Sequence, residues 1–224
     1  MSKFIVAPSI LTANFLDLKT DLNKLEQANI EWIHYDVMDY NFVPNLSFGP
    51  KILSDIVEKY NFKMDLHLMV KIVNLSVEDY LKPFLLKNVE QITIHFEALD
   101  DEQIFNFIDF CKKNKIRSSI SINPDTEVKD IEKYLNQIDN VLIMSVHPGF
   151  GGQSFISNSL KKIELLNFLR DLNKFNYSIQ VDGGINEDTF KLVQDAKVDM
   201  IVAGSYLVGS NVTNLNERVK KLEG

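Results

Sequence analysis

Cysteine is almost absent from this chain. Cys111 stands alone and cannot close an internal disulfide, which points to a reducing compartment and so to the cytoplasm. Long apolar runs are missing too; none approaches the ~20 residues that a membrane helix needs. The opening MSKFIVAPSIL has too short an apolar stretch for a secretory signal and lacks the small-residue cleavage pattern. Cations are in deficit, and the net charge is −7. That argues against nucleic acid as a partner, although an acidic protein can still hold a small phosphate through backbone N–H groups. No Pro-, Gly- or Ser-rich linker, low-complexity tract or short-period repeat interrupts the chain, so residues 1–224 read as one domain. With 45% apolar residues, that length suits one substantial core.

What is present is an alternation. Short apolar, often β-branched runs read as strands at Phe4–Ser9, Trp32–Val37, Lys63–Leu68, Gln91–Phe96, Ser118–Asn123, Val141–Val146, Ser178–Gly183 and Met200–Ser205. Amphipathic stretches lie between them. Leu18, Leu22 and Leu25 recur at helical spacing. DDEQIFNFIDFCKKN opens acidic and closes basic, as the helix dipole favours, and aligns Ile104, Phe107, Ile108 and Cys111 on one side. Eight strand–helix units predict a closed α/β barrel, the (β/α)8 TIM barrel, in a single domain. Trp32 and the many phenylalanines are expected in the core, and ERVKKLEG at the C-terminus reads as a solvated helical face.

Barrels of this kind carry their chemistry at the C-terminal ends of the strands. Polar residues do fall late in the runs: Ser9, His34 and Asp36, His67, Asn123, Asp182, then Gly204 and Ser205. His34 and Asp36 are two apart in IHYDVMD and therefore share one face of their strand. His34, Asp36, His67 and Asp182 make a donor set suited to a divalent metal. The spacing alone also allows satisfied polar groups at the rim. Asp36 and Asp182 sit on strands far apart around the barrel, so they could face one substrate carbon from opposite sides and move protons there. SVHPGFGGQSF (Ser145–Phe155), DGG and AGS follow strands six, seven and eight, where a barrel usually holds phosphate.

These motifs, in this order, resemble the ribulose-phosphate 3-epimerase family. The resemblance runs nearly end to end, through VAPSIL (Val6–Leu11), IHYDVMD, FVPNLSFGP (Phe42–Pro50), DLHLMV (Asp65–Val70), INPDT (Ile122–Thr126), MSVHPGFGGQSF (Met144–Phe155), VDGGI (Val181–Ile185) and VAGS (Val202–Ser205). It implies interconversion of D-ribulose 5-phosphate and D-xylulose 5-phosphate by inversion at C3. It implies one divalent metal per subunit on His34, Asp36, His67 and Asp182, with zinc the first expectation and iron, cobalt or manganese the others. Asp36 and Asp182 become the acid/base pair. Ser9 and His67 become sugar contacts. Gly149, Phe150, Gly151, Gly152, Gly183, Gly184, Gly204 and Ser205 become the phosphate and substrate loops, and Met38, Met69 and Met144 line the site. A small phosphosugar substrate, a homo-oligomer (dimer or hexamer) and the pentose phosphate pathway are implied with it.

Two positions depart from the family pattern: Tyr40 stands where a glycine is usual, and His147 where Asn, Asp or Glu precedes PGFGG. His95 and Glu97 read as hydrogen-bond support for the site, Asp65 as support for the metal ligands, and Asp39 as a loop-ordering residue. One rival is an epimerase of D-allulose 6-phosphate, which would use the same metal and carboxylates. Another is a sugar-phosphate-binding barrel without turnover. The orotidine-phosphate decarboxylase group is excluded, because strand two has no lysine between His34 and Asp39.

Overall fold

The structure, a computed structural model, describes residues 4–209 and 211–223. Eight strands form one parallel sheet: β1 (Ile5–Ala7), β2 (Trp32–Met38), β3 (Lys63–Met69), β4 (Val89–His95), β5 (Arg117–Ile122), β6 (Asn140–Met144), β7 (Ser178–Asp182) and β8 (Met200–Val202). Their order is β1-β8-β7-β6-β5-β4-β3-β2. The ring closes between β1 and β2 through a bridge from Ser9 to His34, where the His34 N–H donates to the Pro8 carbonyl at 3.0 Å. β1 ends sooner than its apolar run suggests. Pro8 has no N–H to donate, so the ladder stops at Ala7.

The helices are α1 (Leu18–Gln27), α2 (Pro50–Lys59), α3 (Val77–Leu81), α4 (Asp101–Asn114), α5 (Ser159–Asn173), α6 (Glu187–Asp195) and α7 (Leu215–Glu223). Between β5 and β6 the connection is a 3-10 segment, Val128–Tyr134, instead of an α-helix. α4 shows why such segments fold. Asp100 and Gln103 close a capping box, Asp101 and Glu102 open the helix, and Lys112 and Lys113 end it. Its expected face, Ile104, Phe107, Ile108 and Cys111, is buried. Among the described residues no helix is long and apolar enough to cross a membrane.

The strand period divides two environments. Ile33, Tyr35 and Val37 of β2 and Leu66 and Leu68 of β3 join the apolar layer between barrel and helices, where each such side chain contributes about 1.5–3 kcal/mol. The alternate residues point into the barrel, and many are polar. Asp65, Gln91, Asn140 and Gln180 are buried there and bonded to one another. Gln91 Nε2 donates to Asp65 (2.9 Å) and to Gln180 Oε1 (2.8 Å), which also accepts from Asn140 Nδ2 (2.8 Å). These bonds satisfy most of the buried polar atoms, leaving Gln91 Oε1 without a partner among the described residues. Trp32 is buried, but Phe15, Phe105, Phe150 and Phe168 are exposed, so the aromatic residues are not all core.

Candidate metal centre and cleft

The β2–β3 register pairs Asp36 with His67 and His34 with Asp65. Side chains of paired residues share a face, so His34, Asp36 and His67 converge inside the barrel mouth. Asp182 reaches the same point from the end of β7. One donor atom from each of the four lies within 4.8 Å of all the others. His34 Nε2 is 3.2 Å from His67 Nδ1, 3.4 Å from Asp36 Oδ1 and 3.7 Å from Asp182 Oδ2. His67 Nδ1 is 3.2 Å from Asp36 Oδ1 and 3.7 Å from Asp182 Oδ2. A tetrahedral zinc-sized ion about 2.0–2.1 Å from each donor would set them about 3.3 Å apart. The four residues therefore fit a divalent ion in both chemistry and spacing.

Each histidine is held from behind. His34 Nδ1 donates to the Asp65 carboxylate at 2.7 Å, which leaves Nε2 for the cluster. Asp65 is kept in place by Gln91 and by Gln180 Nε2 (2.6 Å). Behind His67 stands a longer relay. His67 Nε2 is 2.8 Å from His95 Nε2, and His95 Nδ1 is 3.2 Å from Glu97. Glu97 also accepts the Asn123 N–H (2.7 Å) and the Thr126 hydroxyl (2.5 Å). A carboxylate only accepts, so His95 Nδ1–H donates to Glu97, and His95 Nε2 accepts the His67 Nε2–H. That leaves the His67 Nδ1 lone pair facing the cluster. Burial lowers His95 to about 4, consistent with a neutral, accepting ring.

Charge is unevenly shared. Burial opposes ionisation of Asp36, but His34 and His67 beside it hold its carboxyl well below the usual range. Burial dominates at Asp182 and, with Asp36 and Asp65 nearby, pushes it up to about 7. His34 is raised despite burial, because Asp36 and Asp65 outweigh desolvation. Asp36 and Asp182 at the cluster and Asp65 behind it thus share His34 as their main counter-charge.

Asp36 and Asp182 open onto a cleft of about 690 Å³. The Ser9 hydroxyl donates to Asp36 Oδ2 at 2.6 Å, and Met38, Met69 and Met144 line the wall beside it. His67 does not reach that wall. It is fully buried, with Nε2 bonded to His95 and Nδ1 turned toward the donor cluster.

The three glycine loops make the other end of the cleft: Gly149, Phe150, Gly151 and Gly152; Gly183 and Gly184; Gly204 and Ser205. Asn45 Nδ2 donates to the Gly149 carbonyl (2.8 Å), and Gln153 Nε2 to the His147 (2.7 Å) and Phe150 (2.8 Å) carbonyls. The DGG turn admits only glycine. Gly183 has φ +120°, and a Cβ there would lie 2.5 Å from Val146 Cγ2.

The profile of the ribulose-phosphate 3 epimerase family matches residues 5–208. This chain belongs to the ribulose-phosphate 3-epimerase family. Among curated relatives, the ribulose-phosphate 3-epimerase of Buchnera aphidicola subsp. Acyrthosiphon pisum is 37% identical, covering 99% of this chain and 95% of that one. The Bacillus subtilis protein of the same name is 35% identical over 92% and 93% of the two chains. Solved structures extend the likeness at the level of fold. A 3-keto-L-gulonate-6-phosphate decarboxylase from Vibrio cholerae superposes with a TM-score of 0.71 at 16% identity, covering 99% of this chain and 96% of that one.

The departures from the epimerase-family pattern have structural consequences. Tyr40 has φ +59° and is 68% exposed. A side chain in that region costs about 1–2 kcal/mol, and the ring buries little to offset it. Tyr40→Gly is expected to raise stability by up to about 1 kcal/mol after the extra freedom of the unfolded glycine is subtracted. A urea midpoint that rises at unchanged slope would show this, and a lower midpoint would contradict it. Asp39 orders the same loop, accepting the Asn41, Phe42 and Lys71 N–H groups. His147 lines the cleft with an exposed side chain, 3.9 Å from Asp125.

One cleft residue is not apparent from the sequence. Arg218 lies in ERVKKLEG, but it is half-buried, donates to the Tyr206 carbonyl and faces the cleft. The solvated-face reading fails at this position. Nothing in the local pattern separates Arg218 from Lys220 and Lys221.

Proposed function

We propose that this chain interconverts D-ribulose 5-phosphate and D-xylulose 5-phosphate by inversion at C3. The observation that carries the reading is that Asp36 and Asp182, from strands three steps apart around the ring, open onto one cleft and belong to one cluster of four donor atoms. Epimerisation needs a proton removed from one face of a carbon and a proton returned to the other. Before any ion binds, the surroundings already treat the two carboxyls differently, holding Asp36 down and pushing Asp182 up. In the reaction one acts as the base that removes the proton and the other as the acid that returns one. They exchange roles when the reaction runs in reverse. The proton next to a carbonyl is only weakly acidic, and the enediolate left by its removal carries negative charge on oxygen. A divalent ion held by His34, Asp36, His67 and Asp182 supplies positive charge for that oxygen. Zinc is our first choice of ion, with iron, cobalt and manganese compatible with the same donors.

Ser9, bonded to Asp36 Oδ2, keeps that carboxylate turned toward the cleft. Asp65 and the His95–Glu97 relay fix the ring tautomers behind it. The glycine loops face the phosphate end, where backbone N–H groups can receive an anion without a side chain in the way.

The test is proton NMR of D-ribulose 5-phosphate with metal-loaded protein in D2O. The C3 proton is expected to exchange while xylulose 5-phosphate appears. No exchange would overturn the proposal. Exchange with D-allulose 6-phosphate alone would move the substrate to six carbons and keep the chemistry.

A further inference from the structure

A phosphate monoester carries about −1.5 to −2 charges at neutral pH. The cleft proposed to receive one already contains Asp36 and Asp182, in a chain of net charge −7. Among the described residues lining that cleft, Arg218 is the one lysine or arginine. It sits in the first turn of α7, beside the loop that ends β8. Its Nη1 donates to the Tyr206 carbonyl at 2.7 Å, and its guanidinium carbon lies 5.1 Å from the centre of the Tyr206 ring. Tyr206 directly follows Ser205 of the third glycine loop. The guanidinium is thus pinned to the back of the loop proposed to meet phosphate.

The nearby acids are engaged elsewhere. Glu187 pairs with Lys221 and feels the Arg218 charge only at longer range, and Glu217 accepts from Asn214 Nδ2 at 3.2 Å. Among the described residues no carboxylate pairs with Arg218. A guanidinium has five N–H donors, and the Tyr206 carbonyl is met by one nitrogen. Charge and donors therefore remain for an anion.

We propose that Arg218 determines specificity for the phosphate end of the substrate: held against Tyr206, its guanidinium supplies positive charge to that end of the cleft, separate from any ion at the donor cluster, and favours a phosphomonoester dianion over a neutral sugar. This rests on the phosphosugar reading of the cleft. The backbone N–H groups of the glycine loops set the shape of the anion site, and Arg218 sets its potential. Arg218 is not one of the groups proposed to move the C3 proton, so it acts on binding and not on proton transfer.

The experiment compares wild type, Arg218→Gln and Arg218→Lys. Loss of the charge is expected to raise KM for D-ribulose 5-phosphate about tenfold, the scale of one partly screened charge interaction, with kcat changed less than about twofold. Arg218→Lys keeps KM within about threefold of wild type. The rise of KM with added salt is expected to flatten in Arg218→Gln, since screening then has less to act on. If Arg218 only staples α7 to the barrel, Arg218→Gln lowers the melting temperature while KM stays put, and the proposal falls. Should Arg218→Gln fail to fold, the wild-type protein gives the answer. Titration with inorganic phosphate is expected to shift the Arg218 Nε–H resonance, and no shift at saturating phosphate overturns the proposal. That titration needs no turnover. Wild-type protein inactive on ribulose 5-phosphate but shifted by phosphate would defeat the epimerase reading and leave the anion site standing.

Discussion

Asp36→Asn and Asp182→Asn are each expected to lower epimerisation by about 10²–10⁴-fold, the range contributed by a positioned acid or base. Asparagine keeps the volume and one acceptor oxygen of aspartate but cannot take up or give back the C3 proton. The two losses should differ in kind. If each carboxylate serves one face of the carbon, a variant lacking one can still remove the proton from the epimer that presents C3 to the other. Solvent deuterium would then enter one epimer without conversion to the second, and the two variants would label opposite epimers. Proton NMR of each pure epimer in D2O reads this directly. Metal content is measured on the same samples, because both residues are also proposed ligands. A variant that retains metal and loses only proton transfer isolates the acid/base role. Conversion near the wild-type rate in either variant would remove the two-base mechanism.

Chelation is expected to bring activity to background, and zinc, cobalt, manganese or ferrous iron to restore it. The physical pressure is visible in the donor cluster. Asp36 and Asp182 face one point, Asp65 stands behind His34, and His34 is the main counter-charge of all three. An ion present at about 1,000 times its dissociation constant would add about 4 kcal/mol of stability, so the chelated protein should also melt lower. The pH dependence has a definite sign. Binding requires the Asp182 carboxylate and the His34 Nε2 lone pair, so their protons must leave. Asp182 is raised to about 7 and His34 is raised as well. Metal affinity therefore weakens as pH falls below about 7 and climbs as pH rises through it, with proton release on binding. Calorimetric titration in two buffers of different ionisation enthalpy measures that release. Full activity in protein shown by elemental analysis to be metal-free would take the ion out of the mechanism.

Much of this site is legible before any folding. In IHYDVMD the strand period alone puts His34 and Asp36 on one face, and the rule that barrel chemistry lies at strand ends selects His67 and Asp182 from among the other polar residues. Asp65, Glu97 and Asp39 read as supporting residues, and each makes hydrogen bonds of that kind. Tyr40 stands out against the family pattern, and its backbone is indeed in the left-handed region. These features are local. They depend on side-chain alternation or on a residue type that a turn disfavours.

Other features depend on distance through space and leave no periodic trace. No spacing in the chain says that Asp182 comes within 3.7 Å of two histidines more than a hundred residues away. The ring nitrogens that face the cluster are decided by the partners behind them, Asp65 for His34 and the His95–Glu97 relay for His67. The 3-10 segment between β5 and β6 replaces an expected helix without disturbing the strand order. Arg218 is the plainest case, because a charged residue on an amphipathic helix looks the same whether it faces water or a cleft. By itself the sequence determined which residue types stand at which strand ends, since that follows from period and composition. Only the tertiary structure decided which of their atoms meet, because closure of the barrel brings together groups whose separation along the chain carries no information about their separation in space.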